Sequence, residues 1–142
     1  MEVSDVRRRL RGAIEEAKRR VADRRGRVDQ ATRSYERFLS DVAVPTFHLM
    51  SQALTGEGRR FKVHTPGQTV RLAPDRRTEE YIELVLDSER EPPAVVVRAT
   101  RGRGRRMIST ERIVAEPESI SDLREEDVLT VLLDELVPFL ER

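Results

Sequence analysis

Residues 3–42 read VSDVRRRLRGAIEEAKRRVADRRGRVDQATRSYERFLSDV, and this stretch decides how the amino-terminal part of the chain folds. Apolar side chains recur there in two interleaved series with a period of seven. The first series is Ile14, Val21, Val28, Tyr35 and Val42, and the second is Val3, Leu10, Ala17, Ala31 and Phe38. Spacings of three and four residues between the series place them all on one stripe of an α-helix, as in a coiled-coil seam. Arg7 and Arg24 are the exceptions to the pattern.

Local interactions alone do not hold such a helix. Five acidic residues each lie four positions before a basic one, as Glu16 does before Arg20. These pairs contribute about 0.2–0.5 kcal/mol each, whereas Gly12 and Gly26 together cost about 2 kcal/mol relative to alanine. The contributions nearly cancel, so the apolar seam must be buried against a partner.

Three partners can bury the seam: the same helix of a second chain, the rest of this chain, or the helix's own other half after a turn at residues 24–27. The seven-residue phase continues through Gly26 without a shift, which argues against a turn. We expect the first half to be a self-association arm and the second half to pack on the rest of the chain. A long surface helix of a monomer is the alternative. The candidate self-association residues are Leu10, Ile14, Ala17, Val21, Val28, Ala31, Tyr35 and Phe38.

Pro45 limits the long helix. Its ring removes a backbone donor and clashes with the preceding turn, which predicts a kink or a new helix near this residue. A short apolar helix follows, and Gly56 and Gly58 end it. We therefore divide the chain into a helical arm, residues 1–57, with coiled-coil self-association as a candidate role, and a small α+β head domain, residues 58–142.

Beyond Gly58 the apolar period changes to two, which is typical of strands. Five strands are predicted, at residues 61–65, 70–72, 81–86, 95–97 and 107–115. The short separations between them favour an antiparallel meander.

A last helix is predicted near the carboxyl end, with a broad apolar face from Val128 to Val137. Asp122 is the expected N-cap, because Glu125 follows at the capping-box spacing. Pro138 should end or bend this helix. The prediction is an α+β fold: a long N-terminal helix kinked near Pro45, an antiparallel sheet of about five strands, and a C-terminal helix packed on one sheet face.

Composition narrows the classes of function. The 142 residues include no cysteine, which excludes disulfides and cysteine-based metal sites. No apolar run approaches the roughly 18 residues of a membrane span, and the first residues do not resemble a secretory signal. We expect a cytoplasmic protein without membrane contact. The net charge of +1 divides unevenly: residues 1–110 hold 24 basic and 16 acidic residues, and residues 111–142 hold 3 and 10.

Groups that could carry catalysis are few. The two imidazoles are His48, expected to be partly buried, and His64, expected at a solvated strand position. The acidic runs Glu79–Glu80 and Glu125–Asp127 lie at the starts of elements, where plain electrostatics explains them. Neither a phosphate-binding loop nor a nucleophile motif is present. We therefore predict a non-enzymatic protein with no catalytic residue, metal site or cofactor; an enzyme would need both histidines and a carboxylate to converge.

The stretch Arg98–Arg106 is the most basic in the chain and is expected to form a hairpin tip between two strands. Its five arginines, Arg98, Arg101, Arg103, Arg105 and Arg106, are candidate contacts for an anion or nucleic acid. Arg59–Arg60, Arg71 and Arg76–Arg77 can widen this basic surface. The alternative is a solvated loop, or one that pairs with the acidic last helix. The isoelectric point of 8.2 lies below the value of about 9 typical of nucleic-acid-binding domains.

Together these patterns favour a non-enzymatic, self-associating interaction module. The expected partner is a second copy in a homodimer, with another protein as a further partner. Nucleic-acid binding by the Arg98–Arg106 hairpin tip is the alternative function.

Overall fold

The computed structural model describes residues 1–77 and 79–141. The elements are helix α1 (Val3–Phe38), helix α2 (Val44–Gly56), strands β1 (Phe61–His64), β2 (Thr69–Pro74), β3 (Tyr81–Asp87), β4 (Ala94–Arg103) and β5 (Arg106–Ala115), and helix α3 (Glu125–Leu140). A π-helical segment, Leu39–Ala43, joins α1 to α2, and a 3-10 helix, Pro117–Asp122, precedes α3. The predicted α+β fold is confirmed.

The five strands form one antiparallel sheet in the order β1-β2-β3-β4-β5. One face is buried against the helices and is lined by Val70, Leu72, Ile82, Leu84, Val95 and Val97. The other face carries Arg71, Glu83 and Arg98 side by side, since Glu83 lies opposite both arginines in the register, and it also holds the buried Val96. The predicted meander is therefore present, with the helices on one face.

The interruption predicted at Pro45 lies just before that residue. Pro45 is in the first turn of α2, and the π-helical segment immediately precedes it. There the Val44 N–H donates to the carbonyl of Leu39, five residues back, so the backbone bonds shift register before proline removes a donor. The Thr46 hydroxyl donates to the Val42 carbonyl at 2.7 Å. Residues 3–56 consequently form one long helical run with a wider turn in it.

The core is continuous from the second half of α1 to the end of α3. Phe38 is buried in it, and Tyr35 is buried with its hydroxyl donating to the carbonyl of Gln68 in the β1–β2 connection. Burial raises the pKa of the Tyr35 phenol far above its ordinary value. Elsewhere in the core, the ring of Phe61 in β1 meets the ring of Phe139 in α3 edge to face, with centroids 6.3 Å apart.

Helix α3 begins later than predicted. Asp122 belongs to the 3-10 helix, so its assignment as N-cap is wrong. The Asp127 carboxylate instead accepts the backbone N–H of Arg124 at 2.9 Å, which satisfies a donor at the true start of the helix. Pro138 does not end the helix, which continues to Leu140. A proline this close to the last turn removes a single backbone bond, and the buried Phe139 holds the turn in place.

Candidate interaction surfaces

The first half of α1 carries an exposed apolar stripe. Of the helical arm predicted at residues 1–57, residues 1–27 are almost all exposed, and from here on only these residues are called the arm. The side chains of Leu10, Ile14 and Val21 are 56%, 44% and 59% exposed, although they belong to the predicted seam. Ile14, Ala17 and Val21 line a shallow groove of about 410 Å³, which Lys18 and Arg25 flank. The arm therefore offers an apolar stripe bordered by positive charge.

The second half of the same helix is covered by the protein itself. Val28 is half-buried, and Ala31, Tyr35 and Phe38 are all buried in the core. Of the eight candidate self-association residues, these last three are occupied by the chain's own head. The accessible candidates are Leu10, Ile14, Ala17 and Val21.

A loop acid marks the boundary between the two halves. Glu91, in the β3–β4 connection, receives a hydrogen bond from Arg27 at 3.0 Å and lies 3.2 Å from the Arg24 Nε. Arg24 is one of the two exceptions in the seam. The structure thus places the charged seam position beside a carboxylate of the loop.

A second apolar surface lies between α2 and α3, and we call it the helical groove. It has a volume of about 390 Å³ and is lined by Thr46, Leu49, Met50, Ala53, Glu125, Glu126, Leu129 and Leu133. Leu49, Leu129 and Leu133 are 56%, 41% and 50% exposed. Helix α3 carries five acidic residues and no basic one. The helical groove is therefore apolar with a negatively charged border, the reverse of the arm.

The arginine-rich hairpin is sharply turned and anchored. Arg103 lies opposite Arg106, which leaves Gly104 and Arg105 as the two turn residues. Gly104 has a φ of +64°. A glycine with positive φ at the first turn position is typical of the type II′ turn, whose twist matches the strands. The buried carboxylate of Glu80 accepts the N–H of Gly102 at 2.5 Å and so ties the hairpin to the start of β3.

Sequence reasoning did not identify this role of Glu80, which it explained by the electrostatics of a strand start. A β-carbon added at Gly102 would lie 3.2 Å from the Glu80 Oε2, so the glycine permits the close approach. The contact joins residues 22 positions apart. No local signal indicates such a distant partner.

Several of the predicted arginines converge on two adjoining clefts at this end of the molecule. Arg59, Arg60, Arg76 and Arg77 line a cleft of about 590 Å³. Arg77, Arg101 and Arg103 line a second cleft of about 460 Å³. We call these six residues the basic surface; Arg77 belongs to both clefts. Arg105 and Arg106 are exposed at the neighbouring hairpin tip.

Few carboxylates neutralise the basic surface. Arg77 lies 3.8 Å from Glu80, and within the described residues the other five arginines have no acid within ion-pair distance. Asp75 also lines the first cleft, but Lys62 binds it at 2.9 Å, and the hydrogen bond from Lys62 lowers the pKa of that carboxyl. Glu141 lines the second cleft. The basic surface therefore keeps most of its positive charge.

Arg98 does not belong to this surface, although the sequence placed it there. It lies on the open sheet face, where it binds Glu111 at 2.7 Å and lies 3.5 Å from Asp87. Hydrogen bonds from Arg98 and Arg90 lower the pKa of the Glu111 carboxyl. Arg71 is likewise engaged with Glu83 at 2.9 Å. These arginines alternate with acids across the strands, so they form a neutral ladder.

The two histidines lie at exposed positions. His64 is exposed as predicted, whereas the prediction that His48 is partly buried is wrong, because it lies on the outer side of α2. In the part of the chain that the structure describes, no three potential ligands among His, Asp and Glu are grouped to hold a metal ion. None of the helices formed by the described residues has the length and apolar character needed to cross a membrane.

No protein-family model matches the chain, and no curated protein or solved structure shows significant similarity to it.

Proposed function

We propose that the protein is a non-enzymatic, self-associating interaction module in which the arm of one copy docks in the helical groove of a second copy. The observation that carries the proposal is the exposure of Leu10, Ile14 and Val21 on a continuous helix. The same seven-residue series is buried in the second half of that helix. An apolar stripe of this regularity on a long helix is typical of a packing surface.

The apolar stripe of the arm cannot be buried by the head of its own chain. Helix α1 is continuous from Val3 to Phe38. Leu10 precedes the half-buried Val28 by 18 residues, and at a rise of 1.5 Å per residue it lies about 27 Å further along the axis. A straight helix cannot fold back on its own head over that distance. Any partner that buries the stripe would have to come from another molecule.

Charge favours the helical groove over a second arm. Two arms packed against each other would bring together the basic borders formed by Lys18 and Arg25, and Ala17 would leave the seam thinly filled. The helical groove is instead bordered by Glu125 and Glu126. Opposite charges beside matching apolar surfaces favour this pairing.

The expected dimer is weak. Three leucines of the helical groove and three seam residues are about half exposed, so burying each contributes about 1 kcal/mol. A two-fold arrangement uses the pair of surfaces twice, giving about 12 kcal/mol before the cost of association. At the lower end of that cost, about 4 kcal/mol, about 8 kcal/mol is left, which corresponds to a dissociation constant of about 1 μM.

Sedimentation equilibrium tests self-association directly. The wild-type chain should show a dimer at concentrations of tens of micromolar, and the double variant Leu10→Gln, Ile14→Gln should be monomeric. The control, Gly12→Gln with Gly26→Gln, places the same new side chains away from the seam, where a β-carbon meets nothing within 4 Å. It should dimerise as the wild type does. A monomeric wild type, or a dimer unaffected by the seam variant, overturns the proposal.

A charge exchange tests the choice of the helical groove. Lys18→Glu with Arg25→Glu reverses the border of the arm, and Glu125→Lys with Glu126→Lys reverses the border of the groove. Each double variant alone should be mainly monomeric. An equimolar mixture should recover dimer, because the arm of one variant then faces a groove of opposite charge in the other. A groove variant that dimerises normally while the arm variant does not would show that arms pair with each other.

A further inference from the structure

The basic surface shares no residue with the arm or the helical groove, and we infer that it binds the phosphate backbone of duplex nucleic acid. Its six arginines come from three segments that are distant in sequence: the β1 approach, the β2–β3 connection and the β4–β5 hairpin. The fold brings them to two clefts that share Arg77. Planar guanidinium groups arranged in this way suit bidentate contacts to phosphate oxygens.

Arginines elsewhere on the sheet are paired with carboxylates, and this contrast supports the inference. On the open face the chain provides a carboxylate for Arg71 and for Arg98, at 2.9 Å and 2.7 Å. On the basic surface, within the described residues, the one ion pair is the 3.8 Å contact between Arg77 and Glu80. Two further carboxylates, Asp75 and Glu141, line the clefts, and Asp75 is held by Lys62. Six arginines gathered around fewer carboxylates repel one another, which costs free energy, and an anionic ligand lowers that cost.

The hairpin is built to present its charges. The type II′ turn at Gly104 projects Arg103, Arg105 and Arg106 at its tip. The Glu80 carboxylate fixes the strand just before the tip through the N–H of Gly102. A two-stranded ribbon of this kind can follow a groove of a duplex while its arginines contact the phosphates on either side.

The aromatic residues favour a duplex over a single strand. Proteins that bind single strands stack the bases on exposed aromatic rings. Phe61 and Phe139 line the first cleft, but both are buried, and the other four aromatic side chains are buried or half-buried. Contacts limited to the phosphate backbone of the nucleic acid do not distinguish its bases. The affinity should therefore depend little on the nucleotide sequence and strongly on the salt concentration.

Fluorescence anisotropy with a labelled mixed-sequence DNA duplex of 16 base pairs tests the inference. Three variants of the full chain carry the same change in charge. The tip variant is R101Q, R103Q, R105Q and R106Q; the cleft variant is R59Q, R60Q, R76Q and R77Q; the control is R7Q, R9Q, R11Q and R19Q on the arm. The control is needed because the arm is also basic. The four arginines replaced in the control form no ion pairs among the described residues. Circular dichroism confirms that each variant is folded.

At about 50 mM salt the tip and cleft variants should each bind at least about tenfold more weakly than the wild type, while the control stays within about threefold. If all four replaced residues contact phosphates, the slope of log K against log salt should become shallower by about 3.6. The single strand of the same sequence should bind more weakly than the duplex.

Three results would overturn the inference: no duplex binding by the wild type at 50 mM salt, tip and cleft variants that bind as well as the wild type, or a control that loses as much affinity as they do. If the cleft variant fails to fold, the exposed tip variant still decides the question. Because the seam variant Leu10→Gln, Ile14→Gln retains the basic surface, its duplex binding separates this inference from dimerisation. It should bind duplex as a monomer.

Discussion

The two halves of α1 have the same seven-residue pattern and opposite surroundings. In the second half Phe38 and Tyr35 are buried in the core, whereas in the first half Leu10 and Ile14 are exposed to solvent. Periodicity determines which side of a helix is apolar because side chains three and four positions apart share a face. It does not determine what covers that side. The difference between the halves comes from where the head lies.

The largest expected effect is the difference in lost stability between replacing a buried seam residue and replacing an exposed one. Phe38→Ala should lower the free energy of unfolding by about 3–5 kcal/mol, because it removes a buried ring and leaves a cavity. Leu10→Ala, measured by urea unfolding at a concentration low enough to keep the chain monomeric, should change it by less than about 0.5 kcal/mol. Similar losses for both variants would mean that the arm packs on its own head.

A smaller effect is expected at the boundary between the halves. Glu91→Gln removes the charge that Arg24 and Arg27 share, both through partly exposed contacts. The free energy of unfolding should fall by no more than about 1 kcal/mol. Backbone amides near residues 20–27 should exchange faster with deuterium, since the helix is then less firmly attached to the loop. A loss of unfolding free energy above about 2 kcal/mol would show that Glu91 stabilises the whole fold and not only the attachment of α1 to the loop.

The smallest effect concerns the arm by itself. Gly12→Ala should stabilise the helix locally by up to about 1 kcal/mol, because a β-carbon at this position meets nothing within 4 Å. Helical circular dichroism should rise while the urea midpoint of the monomer stays unchanged, since the arm frays independently of the core. A shifted midpoint would mean that the arm and the head unfold as one unit.

Much of the fold could be read from the sequence because its signals are local. The apolar period of two predicted a strand at residues 81–86, and the structure has it at Tyr81–Asp87 with Ile82 and Leu84 buried. The strand order followed from connections too short for crossovers. Pro45 indicated where the helical run departs from α geometry.

Two of the errors arose where neighbouring residues of the same type could take different positions in the fold. Asp122 and Asp127 both lie near the start of α3, and only the fold decides that the chain forms a 3-10 turn first. Arg98 and Arg101 belong to one basic stretch, yet alternate strand residues point to opposite faces. Arg98 consequently meets Glu111 on the open face, while Arg101 lines a cleft.

By itself the sequence determined the helices, the strands, their faces and the arginine-rich turn, because periodicity, proline and glycine act over a few residues. Only the tertiary structure decided that half of the seam is covered by the head. It also decided that Arg59, Arg60 and Arg76 face the same end as the hairpin tip, and that Glu80 holds Gly102. Those relations join segments far apart in the chain, where burial and strand register set the positions and no local spacing records them.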